Sequence, residues 1–220
     1  PGPAPTPTPT TCAVFPAETS GPFPADGTNT APGFTSNILT QSGVSRTDLR
    51  ASFANNSTAA TPGVPVLITL TLVNTNASCA PLANYAVYLW GANAQGRFSL
   101  YDVPAESWLR GVQVSNAQGA VTFTTIFPGV YANRFPHLFV EVFPSAAAAT
   151  NGSQAILRTQ LVLPAAVANA VYTDPTNYAG NAARFAAVSM ATDPVFSDNS
   201  AAQIAAMTPS FTGGISTGFT

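Results

Sequence analysis

From Pro62 onward, apolar residues recur at every second position, separated by hydroxylated or small ones. In VPVLITLTLV (64–73), Val64, Val66, Ile68, Leu70 and Leu72 share one face, and Thr69 and Thr71 the other, the signature of a half-buried strand. Comparable runs follow at NYAVYLW (84–90), GVQVSNAQGAVTFTTIF (111–127, with a turn at 116–119), HLFVEVF (137–143) and AILRTQLVL (155–163). Short strands divided by turn residues, with few helical periodicities between them, predict an all-β fold, an antiparallel β-sandwich. Beyond Pro164 the chain is rich in Ala, Asn, Thr and Gly. There, AAVANAVY and SAAQIAAM each fit a short helix, and the last residues fit an edge strand.

The N-terminal PGPAPTPTPTT (1–11) alternates Pro with small residues and favours polyproline II, with a reach of about 34 Å at roughly 3.1 Å per residue. The predicted organisation is therefore an extended arm (1–11), a sandwich domain (12–163) and a C-terminal segment packing on it (164–220). An arm of this kind can lie on a neighbouring subunit or extend its sheet edge, so a homo-oligomer or filament is expected.

Charge narrows the possibilities. Only 7% of the 220 residues are charged while 46% are hydrophobic, which excludes a wholly disordered chain. All seven basic residues are Arg, none is Lys, and the net charge is -2, leaving no basic field for a nucleic-acid backbone. No apolar run is long enough for a membrane span, and the chain opens on Pro and Thr rather than on a charged and then apolar leader. The two cysteines, Cys12 and Cys79, fit one disulfide better than a four-thiolate metal site. Such a bridge contributes about 4 kcal/mol in the chain-entropy model and implies a secreted, extracellular protein. Four Asn-x-Ser/Thr sequons, at Asn55, Asn56, Asn76 and Asn151, agree with export, although in a chain so rich in Asn, Ser and Thr most are expected by chance.

Several blocks in order resemble the intradiol ring-cleavage dioxygenases, particularly their secreted relatives. They are CAVFPAETSGPFPADG (12–27), RTDLR (46–50), CAPLANYAVYLWGANAQGRFSLY (79–101) and LRGVQVSNAQGAVTFTTIFPGVYANRFPHLFVEVF (109–143), with a weaker echo at Tyr172 and ATDPVF (191–196). The resemblance implies a β-sandwich, a mononuclear non-haem ferric site that cleaves catechols with dioxygen, and a Cys pair like Cys12 and Cys79. It also assigns iron ligands to four positions.

Two of those positions hold donors here, Tyr131 and His137. The other two hold Phe98, in a Gly-Arg-Phe-Ser element, and Phe139, where a His-x-His pair would place its second imidazole on the same strand face. A benzyl group offers ferric iron no lone pair. Arg134 and Gln160 match positions lining the family's site. Neither Tyr101 nor Glu141 is placed to substitute, since Glu141 lies roughly 13 Å from His137 by strand rise.

The expectation is therefore no catalytic residues, no metal and no cofactor. His137, Tyr131 and Trp90 become hydrogen-bonded core residues, Arg134 pairs with an acid or carbonyl, and Phe98 and Phe139 fill the former metal cavity. The functional reading is a secreted, non-catalytic, dioxygenase-like protein that self-assembles as a structural subunit of a filament or extracellular matrix. The alternative is a secreted intradiol dioxygenase acting on catechol-type aromatics with Fe(III).

Overall fold

The computed structural model describes residues 12–220; the arm (1–11) lies outside the described residues. Among the described residues there are ten strands: β1 (Pro65–Thr71), β2 (Val73–Asn74), β3 (Ala80–Pro81), β4 (Ala86–Trp90), β5 (Arg110–Val114), β6 (Ala120–Ile126), β7 (His137–Phe143), β8 (Leu157–Val162), β9 (Gly213–Gly214) and β10 (Gly218–Phe219). Two four-stranded sheets have the orders β6-β1-β10-β9 and β5-β4-β7-β8, while β2 and β3 form a separate pair. Pairing is antiparallel except between β1 and β10, where Val66 lies beside Phe219 in parallel. The alternation read from the sequence survives in β1, where Val66 and Ile68 are buried while Leu67 and Thr69 are exposed.

The second sheet is covered on both faces, which is why β4 and β7 contain no exposed position. Val87, Leu89, Leu138 and Val140 face the first sheet and build the sandwich core with Ile68, Phe123 and Ile126. Tyr88, Trp90, Phe139 and Phe143 face the opposite way, into a second cluster with Ala25, Ile38, Leu39, Phe98 and Leu100. The long irregular stretch before β1 is thus a third layer, laid over the outer face of the second sheet.

Arg110 fastens that layer. Its guanidinium is 1% exposed and donates to the carbonyl oxygens of Phe23, Pro24 and Ser99, to Ser99 Oγ and to Tyr88 Oη, at 2.9–3.0 Å. A buried cation must find acceptors for its N–H groups, and here four of the five are supplied by the loops it joins. Gly21 completes the closure. With φ +65 it adopts a conformation open to glycine, and a Cβ there would stand 2.8 Å from the Phe139 ring.

The sheet edges are partly occupied by the chain itself. Leu49 and Thr47 bond to Thr124 of β6, Arg46 and Val44 to Val112 of β5, and Glu18 to Arg158 of β8. This restricts the edge pairing expected of a partner, leaving β9 at the end of its sheet. The Cys12–Cys79 disulfide is formed and ties the start of the described chain to the turn before β3.

After β8 the chain forms three short helices, α1 (Ala165–Val171), α2 (Asn181–Ala186) and α3 (Ala201–Met207), before the β9–β10 hairpin. A capping box formed by Ser200 and Gln203 starts α3. No such signal announces α2, whose N-cap is Gly180 with no side-chain bond, and the sequence did not predict it.

One buried contact between layers is ionisable. Asp26 and Glu141 are both fully buried, and Asp26 Oδ2 and Glu141 Oε2 accept no hydrogen bond from any described donor. A proton held by Glu141 and donated to Asp26 accounts for both atoms, while Arg158 Nε donates to Glu141 Oε1 at 3.0 Å. Burial, and then the neighbouring Asp26, push Glu141 up from 4.5 to about 8.

The folded chain therefore retains a proton that the unfolded chain releases, so stability falls as pH rises from the unfolded towards the folded value. In urea denaturation, Glu141 should lower stability progressively between about pH 4.5 and about pH 8, above which its effect levels off. Glu141→Gln, which keeps an acceptor for Arg158 and a donor for Asp26, should flatten that decline. An unchanged slope in the variant would contradict the shared proton.

Candidate functional site: an aromatic cage around Tyr131 and His137

The positions singled out in the sequence converge on the outer face of the second sheet. Strand register aligns Arg110, Trp90, Phe139 and Gln160 across β5, β4, β7 and β8. Since alternate residues share a face, His137 and Glu141 flank Phe139 on that same side. Phe98 enters from the loop after β4, and Tyr131 from the loop before β7.

The rings interlock. Trp90 is stacked between Tyr88, at 4.7 Å between centroids, and Phe139, at 5.0 Å and 7°. Phe98 meets Tyr131 edge-on at 4.8 Å and lies tilted against Phe23 at 4.5 Å, and Phe139 meets His137 edge-on at 4.7 Å. These are the spacings that aromatic pairs prefer. Phe98 and Phe139 therefore do pack the volume between Tyr131 and Trp90. Trp90 departs from expectation: its Nε1 has no hydrogen-bond partner among the described residues, because an indole held between two rings at this register points its N–H at no acceptor.

Tyr131 and His137 are brought together, and each satisfies the other. His137 Nδ1 lies against the carbonyl oxygen of Phe135, which can only accept, so the ring proton sits on Nδ1. Nε2 is then an acceptor, and Tyr131 Oη donates to it at 3.2 Å. Burial, and then the Arg134 charge, lower His137 to about 3, which keeps the ring neutral. Burial also pushes the Tyr131 phenol above its ordinary value, so its hydroxyl keeps the proton it donates.

Arg134 and Gln160 form a separate polar cluster below the cage. Arg134 Nε donates to both oxygens of Asp193, at 2.9 and 3.0 Å, its Nη2 donates to Gln160 Oε1 at 2.8 Å, and Gln160 Nε2 donates to Thr19 O. Arg134 thus has the acidic partner expected of it, and the pair is buried. Burial opposes the Asp193 charge, but hydrogen bonds from Arg134 and the backbone N–H groups of Phe135 and Val195 hold this carboxyl below its usual range. Asp193 was missed as a site residue. Its trace in the sequence is ATDPVF, where it caps the turn by accepting from the Val195 and Phe196 amides.

As a donor set for ferric iron, these residues do not fit. The two donors, Tyr131 Oη and His137 Nε2, are bonded to each other, and the neighbouring positions on both sides carry rings without lone pairs. Tyr101 Oη is engaged with Asn29 and the Ala25 amide, and Tyr88 Oη with Pro24 and Arg110. No cluster of three His, Cys, Asp or Glu residues suited to a metal occurs among the described residues. Two open surface hollows of about 470 and 500 Å³ lie elsewhere among the described residues, one beside Phe53 and one between Met190 and Thr208.

Comparison with known proteins agrees with this architecture. A family model described as "Dioxygenase" matches residues 35–147. The intradiol ring-cleavage dioxygenase from Tetranychus urticae is 21% identical and superposes with a TM-score of 0.66, over 94% of this chain and 91% of its own. The dioxygenase domain of a dioxygenase carbohydrate-binding protein fusion from the cellulolytic bacterium Streptomyces sp. SirexAA-E is 22% identical, with a TM-score of 0.53 over 93% and 92%. No curated protein matches. At these identities the superpositions speak to the fold, and the family match spans half of the chain. The chain belongs to the intradiol ring-cleavage dioxygenase family.

Proposed function

We propose that this chain is an exported, non-catalytic member of its family that acts as a self-assembling structural subunit of a filament or extracellular matrix. The observation that carries the loss of catalysis is the Tyr131–His137 hydrogen bond enclosed by Phe98 and Phe139. A site of this kind loses two direct donors, when even supporting residues around a metal typically change affinity by about 10 to 100-fold. What remains is packing: rings that join the N-terminal layer to the second sheet.

Export is supported by the Cys12–Cys79 bridge, which is compatible with an oxidising compartment. No helix among the described residues is long and apolar enough to cross a membrane. Assembly is supported by a surface with little charge to keep copies apart and by the Pro/Thr segment at 1–11. With several sheet edges already bonded within the chain, that segment is the natural element to reach a second copy, and a head-to-tail contact that does not close generates a filament.

Two experiments test the two halves of this reading. Phe139→His alone should cost about 1–3 kcal/mol in the absence of metal, because it buries an imidazole beside His137 with no partner provided for it. The double variant Phe98→Tyr with Phe139→His should then recover stability on adding ferric iron and develop a visible tyrosinate-to-iron absorption that the unaltered chain lacks. The same absorption in the unaltered chain would refute the proposed loss. For assembly, deleting residues 1–11 should weaken or abolish oligomer formation as measured by electron microscopy and sedimentation; a truncated chain that assembles as well as the intact one would remove the arm's role.

A further inference from the structure

The four sequons are not equivalent in the folded chain. At Asn151, Oδ1 accepts from the Ser153 amide, and Nδ2 lies so close to Gly27 that a Cβ there would stand 2.7 Å away. That nitrogen is packed against Gly27, so a sugar on it requires the loop to move. Asn55 turns its amide towards Ala105 O at 3.5 Å, and its sequon hydroxyl, Ser57 Oγ, donates to Glu106 at 2.6 Å. Asn76 is exposed on the β2–β3 turn but lines neither hollow.

Asn56 differs from all three. It sits exposed at the tip of a turn, with φ 58, and neither its amide nor the hydroxyl of Thr58, two residues on, is engaged by another described side chain. Three residues earlier, Phe53 lines an open surface hollow of about 470 Å³ that Asn55, Asn56, Ser57 and Thr58 also line, together with Gln41 and Ser42. The ring is held in place from behind by the Arg46 guanidinium, 4.8 Å from its centroid, and the Ser107 hydroxyl accepts the amides of Phe53 and Ala54. A fixed aromatic surface rimmed by amides and hydroxyls suits a pyranose, whose C–H face packs on the ring while its hydroxyls and acetamido group bond to the rim.

We infer that Asn56 carries an N-linked glycan whose first N-acetylglucosamine seats on Phe53 in this hollow. The inference rests on the export reading, since attachment requires the secretory route. The donor is a lipid-pyrophosphate-linked oligosaccharide. Asn56 Nδ2 forms a bond to the anomeric carbon, the carbon–oxygen bond to pyrophosphate breaks with its electron pair leaving on the phosphate, and the amide loses one proton. No oxidation or reduction is involved.

The test uses the full chain secreted from a eukaryotic cell. Peptide mapping should find the sugar on Asn56 and none on Asn55 or Asn151, and Thr58→Ala should abolish it. Trimming the glycan to its first sugar should leave the melting temperature unchanged, whereas removing that sugar should lower it by about 2 °C, and Phe53→Leu should eliminate this last difference. A bare Asn56 in a protein whose Cys12–Cys79 bridge is oxidised overturns the glycan and leaves the export reading standing. A bare Asn56 together with free thiols overturns both. An equal temperature drop in Phe53→Leu overturns the seat.

Discussion

A neutral imidazole has one lone pair to give, and in this protein the Tyr131 hydroxyl takes it. That hydrogen bond decides the character of the whole region. With Nδ1 against the Phe135 carbonyl and Nε2 accepting from the phenol, both ring nitrogens of His137 are hydrogen-bonded, and Tyr131 is held as a phenol rather than the phenolate a ferric ion prefers. The rings of Phe98 and Phe139 make the arrangement self-consistent. Burial of the region disfavours charge on either partner.

The same rings explain how the third layer stays in place. Phe139 is stacked on Trp90 beneath and overlain by the chain at Gly21, while Phe98 packs on Phe23 in the same covering segment. Arg110 then ties that segment to β4 and to the loop bearing Phe98 through acceptors that are mostly backbone carbonyls. Such a buried guanidinium tolerates no loss of its partners, so segment, strand and loop are coupled. The rings and Arg110 together make this region a joint between the sandwich and its cover.

Much of this was legible in the chain and some was not, for identifiable reasons. The β1 strand was readable because only one of its faces is buried, so Val66 and Ile68 alternate with Leu67 and Thr69. The roles of Tyr131, Phe98 and Phe139 were accessible because local spacing on a loop or strand fixes which way they point. Asp26, Glu141 and Arg110 gave no local signal: each is explained by a partner far away in sequence, brought near only by strand register and by the folded N-terminal layer. Asp193 was hidden in the same way, its pairing with Arg134 depending on where the helical C-terminal segment returns to the sheet. The unsatisfied Trp90 Nε1 could not be foreseen either, since it follows from stacking on both of its faces.

The central claim is that hydrophobic packing has replaced coordination between Tyr131 and His137. The most direct measurement is the metal content of the purified, unaltered protein after exposure to ferric iron, made alongside oxygen uptake with catechol. This account predicts iron well below one atom per chain and no oxygen consumption above the buffer; one tightly held iron per chain, with ring-cleaved product formed, would contradict it.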